Sequence, residues 1–425
     1  MRLWLPPALE VPRMRLYALG HGISVLGSWI QSTALAWLVF RLTGSVSMLG
    51  VMGFLLQIPF LVLGPITGSV VDRLPRLKLL IVIDVLLACV SFGLALLAWF
   101  EVKAIWPYFL AAVLHGALNA FEMPTRQALL ARIVEDRALV PSALGVSATL
   151  FNAGRLVGPA IAGVALLFVS ETWCFVANGF SNLFIIWTLL KMGLGPGDRA
   201  AATSANRPGL LEGLAVLSEL PAVRYLVPMM AMVGLCGVPY VHLMPSIAAT
   251  FFGGQSSTYG TMMSAAGFGA LAAALFLSMQ RGIHMQRRIV ALAPLVLGLG
   301  FIGLALSRSF VLSLVLLTVI GAAVMCSANA TNVLLQQSVP DDWRGRVVGL
   351  YAMSFQGLGP IGTLFSGFVA HWIGLAPMLV INAICLIVAA VLIGGRLRAN
   401  PEVLTSIGAE PAEMPVAARR QARGG

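Results

Sequence analysis

Charge is scarce in this chain. Asp, Glu, Lys and Arg make up 10% of its 425 residues, where a soluble domain carries about 25%. That excludes a cytosolic enzyme, a disordered protein and a nucleic-acid module together. Lysine is scarcer still: Lys78, Lys103 and Lys191 are the only three, and none follows a glycine, so there is no Walker A loop. His-Glu-x-x-His and Gly-x-Ser-x-Gly are absent as well. Gly195-Pro196-Gly197-Asp198 matches the Gly-x-Gly-Asp of intramembrane aspartyl proteases, but it sits in a Pro-containing loop without a partner aspartate. The five cysteines, Cys89, Cys174, Cys236, Cys326 and Cys385, lie far apart inside apolar stretches with no Cys-x-x-Cys or Cys/His spacing, so they read as small packing residues. No enzymatic reaction, metal or cofactor is expected.

What the chain has instead is apolar surface: 59% of it is hydrophobic, enough for about twelve spans of about 20 residues. The basic segment Met1–Arg15 is followed by an apolar run without a small-residue cleavage site, so that run reads as a retained helix and not a signal peptide. The spans expected in the first half are Leu16–Phe40, Val46–Val71, Leu77–Phe100, Ile105–Arg126, Leu139–Val169 and Trp173–Met192. In the second half they are Tyr225–Thr250, Thr258–Met279, Ile289–Ser307, Phe310–Asn332, Val347–Ala370 and Leu375–Gly395. The net charge of +11 could suggest an acidic partner, but its distribution decides otherwise. Among the 27 basic residues, Arg155 lies within a span and only Arg41, Lys103 and Arg308 fall in one set of alternate loops; the rest are at the termini or in the other set. The positive-inside rule then puts both termini in the cytoplasm. Trp37, Trp99, Trp106, Trp173 and Trp372 all fall near the outer interface, as an aromatic belt would.

The halves repeat. Asn178 is echoed by Asn382, and Gly158-Pro159 by Gly359-Pro360. The longest internal polar stretch separates them, and its segment Leu210–Leu220 has the apolar spacing of a short amphipathic helix on the membrane surface. The expected organisation is a cytoplasmic N-terminus (1–15), a six-helix bundle (16–192), a central cytoplasmic loop (193–222), a second six-helix bundle (223–398) and a disordered tail (399–425). Two such halves are the plan of a secondary transporter, with its substrate site between them at mid-membrane.

Three motifs sharpen this. The loop Gly68-Ser-Val-Val-Asp72-Arg73-Leu-Pro-Arg76-Leu-Lys78 resembles the signature loop of the major facilitator superfamily, with Pro75 where that family usually has glycine and the last basic residue displaced to Lys78. Span five places Gly145, Gly154, Gly158, Pro159 and Gly163 in the register of the superfamily's antiporter motif, with Ala162 as its one departure. The segments Leu118–Ala128, Leu139–Pro141, Asn152–Pro159 and Val339–Val347 are similar to the branch that contains the enterobactin exporter and the macrolide-efflux pumps, the transmembrane secretion effectors. The resemblance implies an all-α fold of twelve transmembrane helices in two pseudo-symmetric bundles. It also implies a conformational latch at Gly68–Lys78, acting with Glu122 and Arg126, and transport directed outward.

Charges inside the spans are few, so each carries information. His115, Asn119, Glu122 and Arg126 form one polar stripe along span four; Glu122 is read either as part of the gate or as a proton carrier. Asp84 is a second proton-carrier candidate, and Asp84 or Glu122 is expected to pair with the buried Arg155. Since the resemblance implies that spans one, four, seven and ten line the cavity, the candidate lining is His21, Gln31, His115, Asn119, Tyr240, His242, Asn329 and Asn332. Such a cavity, apolar with hydrogen-bonding groups, suits an amphipathic organic molecule. The resulting expectation is a monomeric exporter in the bacterial inner membrane, without a nucleic-acid partner, driven by a proton or other ion gradient. An importer, or a receptor retaining the fold, is the alternative.

Overall fold

A computed structural model describes residues 6–193, 221–279, 283–339 and 341–399. The expected amphipathic segment Leu210–Leu220 and the tail from Asn400 lie outside them. Among the described residues there is no strand, and twelve helical rods follow one another. The first six are α1 (Pro12–Thr43), α2 (Val46–Arg73), α3 (Arg76–Trp99), α4 (Trp106–Val134), α5 (Val140–Ala165) and α6 (Glu171–Lys191). Then comes α7, in two pieces (Pro221–Met232 and Tyr240–Phe252) joined through a π-helical turn, Val233–Gly237. Next are α8 (Ser256–Met279), α9 (Ile283–Leu306) and α10 (Phe310–Gln337). α11 is again in two pieces (Asp341–Ala352 and Leu358–Ile373) around a π-helical turn, Met353–Gly357, and α12 (Leu375–Ala399) closes the series.

Nine of the rods are long and apolar enough to cross a membrane by length and composition alone. The other three have evident reasons for falling short. α4 carries the polar stripe, α5 is rich in Gly, Ala and Ser around Arg155, and α11 begins Asp341-Asp342-Trp-Arg344. Large apolar side chains such as Phe168, Phe180, Leu275, Phe365 and Leu392 point outward over the whole bundle, as a surface solvated by lipid requires. Connections are tight where the sequence permits it. Gly44 and Gly253 end α1 and α7 with φ of +59° and +57°, a left-handed conformation that glycine adopts without steric penalty.

The two π-helical turns were not foreseen. Each sits in a Gly/Pro cluster (Gly234, Gly237 and Pro239; Gly357, Gly359 and Pro360), where missing Cβ atoms and a missing N–H weaken the ordinary ladder. They also meet each other: a Cβ on Gly234 would stand 3.0 Å from the Ser354 carbonyl oxygen.

The halves join along two seams, α5 against α8 and α2 against α11. Both are made by small residues. A Cβ on Gly163 would lie 2.8 Å from Gly260 Cα, and one on Gly367 would lie 2.8 Å from Gly50 Cα. Close backbone approach of this kind is how helices gain dispersion contact where no hydrophobic effect drives them together. All four glycines lie toward the end of the bundle that holds the α1–α2 and α7–α8 turns.

The core follows the same division. One large buried cluster draws on both halves at that end, from Leu35, Leu49 and Tyr108 to Leu243, Met262 and Leu379. At the opposite end, where the termini lie, the core separates in two. One cluster (Met14, Leu80, Leu129, Leu189) belongs to the first half and another (Leu226, Val290, Leu334, Val347) to the second. The halves are thus packed together at one end and individually packed at the other.

Substitutions at the seam test this. Gly367→Ala presses on backbone and is expected to destabilise the purified protein by about 1–3 kcal/mol. Gly145→Ala enters open space within α5, and is expected to leave stability unchanged or raise it by up to about 1 kcal/mol. Thermal melting in one detergent compares the two; equal effects would contradict the seam.

Candidate functional site

At mid-bundle the halves enclose a cavity of about 310 Å³, at the lower end of the range for small-molecule sites. Its first-half wall comes from α1 (Trp29, Ser32, Thr33), α2 (Met52, Leu56, Gln57) and a single α5 side chain, Arg155. The second half supplies Tyr240, Val241 and His242 from α7, Tyr259 and Met263 from α8, Val324 from α10, and Phe355 and Gln356 from α11. Gln57 and His242 face each other across the seam, Nε2 to Nε2 at 2.8 Å. His242 fits there because Gly53 opposite has no side chain: a Cβ would come 2.8 Å from the imidazole. Trp37 stacks on Tyr259 from the other half, with ring centroids 6.3 Å apart. A void of about 20 Å³, room for about one water, adjoins the cavity and is lined by Gln31, Ser32 and His115 among others.

The structure places the residues expected to line the cavity in different surroundings. Tyr240 and His242 line the cavity, and Gln31 and His115 the small void beside it. His21 is buried elsewhere, its Nε2 3.0 Å from Ser147 Oγ and its ring stacked on Tyr17. Asn119, Asn329 and Asn332 are among the lining of neither space, and Asn332 accepts from Gln336 Nε2 at 3.0 Å. Gln57 was missed, although a lone amide in the apolar span two was the signal for it.

Nearer the end of the bundle where α3 begins and α4 ends, the first half holds a buried ion cluster. Arg126 Nη2 donates to Asp84 Oδ1 at 3.2 Å and also to Glu122, one turn earlier on α4. Asp84 is fully buried, Arg126 nearly so, and Glu122 keeps 17% of its side chain exposed. Pro124 between them lacks the N–H that would bond the Ala120 carbonyl, so α4 is locally loosened at the cluster. This corrects the expected pairing of Arg155. Both interior acids face Arg126, because α3 and α4 pack against each other while Arg155 projects from α5 toward the cavity.

Of the latch residues, Arg76 begins α3 and donates to the Ala128 carbonyl at 3.3 Å, so it meets α4 through backbone and not through Glu122. Arg73 and Lys78 are exposed. Gly68 and Asp72 fall in the last turns of α2, and the Asp72 side chain lies outside the described residues. Pro75, the departure from the family pattern, links α2 to α3 at φ −61°, a value its ring prefers. In the antiporter-like stretch, Gly154 and Gly158 face α1: a Cβ would come 2.6 Å from Val25 and 2.5 Å from Trp29 respectively. Pro159 and Gly163 face Gly260 of α8, while Gly145 faces open space.

The repeat seen in sequence has a structural counterpart. Asn178 on α6 donates to Gln31 Oε1 and Ser91 Oγ, both at 3.0 Å, and Asn382 on α12 donates to Ser366 Oγ at 3.2 Å. Each asparagine ties its helix to another in its own half.

Twelve rods in two packed halves around a central cavity define a transporter of the major facilitator fold. The same fold is found in the crystal structure of the nucleoside transporter NupG, with a TM-score of 0.74 at 13% identity, covering 91% of this chain and 99% of that one. A bacterial homologue of the human lysosomal transporter Spinster, in an inward-facing and unoccupied conformation, matches with a TM-score of 0.73 at 15% identity, covering 94% and 99%. The chain belongs to the transmembrane secretion effector family, whose model matches residues 9–419. It is 25% identical over 382 residues to the staphyloferrin A transporter of Staphylococcus aureus (89% of this chain, 95% of the relative). To the multidrug efflux pump Tap of Mycolicibacterium fortuitum it is 28% identical over 367 residues (82% and 87%). To macrolide efflux protein A of Streptococcus pyogenes it is 25% identical over 385 residues (87% and 94%). These relatives are transporters, and this chain is a multi-pass bacterial membrane protein.

The ion cluster makes a direct prediction. Arg126→Met strands a buried carboxylate and is expected to lower stability by about 3–5 kcal/mol. Asp84→Asn in the same chain should recover most of that loss, since the remaining Glu122 reaches water. A double mutant no more stable than the single one would show that the ion pair is not what holds α3 to α4.

Proposed function

We propose that this protein exports a small amphipathic organic molecule, siderophore- or drug-like, by alternating access coupled to proton antiport. The observation that carries the proposal is the central cavity, bounded by both halves, which glycine seams join at one end while their cores pack separately at the other. The asymmetry of basic residues supports placing the end with separately packed cores, and with it both termini, in the cytoplasm. In this reading an exporter loads the cavity from that cytoplasmic end. Relatives that match along most of the chain are efflux proteins, which supports the outward direction.

In this reading the bundles 16–192 and 223–398 rock about the cavity as a monomer, joined by the loop 193–222, in the inner membrane. The terminal segments 1–15 and 399–425 stay cytoplasmic. The loop Gly68–Lys78 closes the cytoplasmic end in the opposite state. Protonation of Glu122 or Asp84 releases one of the two acids holding Arg126, which gives the gradient a point of purchase on the α3–α4 contact.

Accumulation of dyes, macrolides and catechols in efflux-deficient cells tests this. Cells expressing the protein are expected to accumulate less of at least one compound, an uncoupler should abolish the difference, and Glu122→Gln or Asp84→Asn at matched expression should lose it. Higher accumulation would reverse the direction to uptake, and a difference that survives the uncoupler would remove proton coupling.

A further inference from the structure

Among the described residues, Arg155 carries a positive charge within the bundle for which no counter-ion is present. The only acids in the described first half away from the helix ends are Asp84 and Glu122, and Arg126 takes both. Between residues 223 and 398 the only acids are Asp341 and Asp342, at the start of α11. Arg155 enters none of the ion pairs among the described residues and lines the central cavity, which has no acidic side chain among its lining. A guanidinium cannot shed its proton at any accessible pH, so the charge persists in a site where an unmatched ion is costly.

The internal repeat shows that the position is designed to face the cavity. Arg155 stands four residues before Pro159, and Gln356 stands four residues before Pro360; both line the cavity. The two halves thus present equivalent positions to one space, and only the first carries a charge. A second polar group there is also unmet. Tyr240 is 1% exposed, lines the same cavity, and its hydroxyl has no hydrogen-bond partner. The remaining wall is largely aromatic and apolar, with Trp29, Tyr259 and Phe355 prominent.

We infer that the transported molecule is an organic anion, whose acidic group docks on Arg155 with the Tyr240 hydroxyl as second donor and whose apolar body lies against Trp29, Tyr259 and Phe355. This rests on the central cavity being the transport site. It narrows the amphipathic substrate of the proposed function to one sign of charge. A carboxylate or comparable oxyanion suits the planar fork of the guanidinium, which can donate two parallel hydrogen bonds.

The test uses two xanthene dyes of similar frame and opposite charge, fluorescein and rhodamine 123. Binding is read by fluorescence anisotropy on the purified full-length protein in discs of zwitterionic lipid, which keeps anionic headgroups out of competition. Wild type is expected to bind fluorescein about tenfold or more tighter than rhodamine 123. Arg155→Gln should shift the ratio of the two affinities by about 10- to 100-fold against fluorescein, and Arg155→Lys, with charge but no fork, should fall between. Thermal melting checks that the variants fold. Wild type without preference for fluorescein, binding of neither dye included, overturns the inference. So does a folded Arg155→Gln protein that keeps the wild-type ratio, or equal weakening of both dyes in both variants, which would make Arg155 a packing residue. Flux in proteoliposomes separates this from the export proposal. Sign-selective binding without flux leaves the anion site standing and removes export; equal flux of both dyes, unchanged in Arg155→Gln, leaves export standing and removes the anion site.

Discussion

An ion inside a bilayer has no water to turn to, so each one must find its partner within the protein. Among the described residues away from the helix ends, the first half holds two acids, Asp84 and Glu122, and two arginines, Arg126 and Arg155, and the packing of α3 on α4 gives both acids to one arginine. Much follows from that unequal division. Arg126 becomes a three-membered cluster that ties two helices of the first bundle together. Arg155 is left facing the cavity, so that the charge of the central space is set by what the ion cluster has already claimed.

The second constraint is closeness. Lipid tails solvate apolar side chains about as well as protein does, so the halves hold together through contact area and not through escape from water. The glycine pairs Gly163–Gly260 and Gly50–Gly367 bring backbones into contact, and they do so at one end only. The core clusters record the consequence, continuous across the halves at that end and divided at the other. A joint built from small residues gives close contact without interlocking long side chains, which fits the proposed exchange between states. The π-helical turns of α7 and α11, touching at the edge of the cavity, add two places where the helical ladder is already loosened.

The motif Gly154-x3-Gly158-Pro159-x3-Gly163 shows how one stretch serves two neighbours. Its first two glycines receive Val25 and Trp29 of α1, within one half, whereas Pro159 and Gly163 meet Gly260 of α8 in the other. A helix with large side chains at these positions could not pack so closely on either. The functional expectation attached to the motif by resemblance thus has a plain mechanical content in this molecule, with Gly145 outside it.

Sequence alone determined the number of rods, their order, the doubling of the fold and the class of protein. Each depends on runs of apolar residues and on breaks by Gly, Pro and charge, which are local and survive without knowledge of neighbours. It also made Asp84, Glu122, Arg126 and Arg155 stand out, because charges are rare against so apolar a background. Helical spacing put Glu122 and Arg126 one turn apart, as the pair found, but it did not determine that Asp84 joins them and leaves Arg155 aside. Partner choice depends on which helices are adjacent and which face each presents, and residues 42 apart in the chain, such as Asp84 and Arg126, meet only through the α3–α4 contact. The Gln57–His242 contact, 185 residues apart and across the two halves, was hidden for the same reason. Tertiary structure alone decided that Arg155 faces the cavity without a counter-ion: helix periodicity assigns residues to faces, but only packing says what stands opposite.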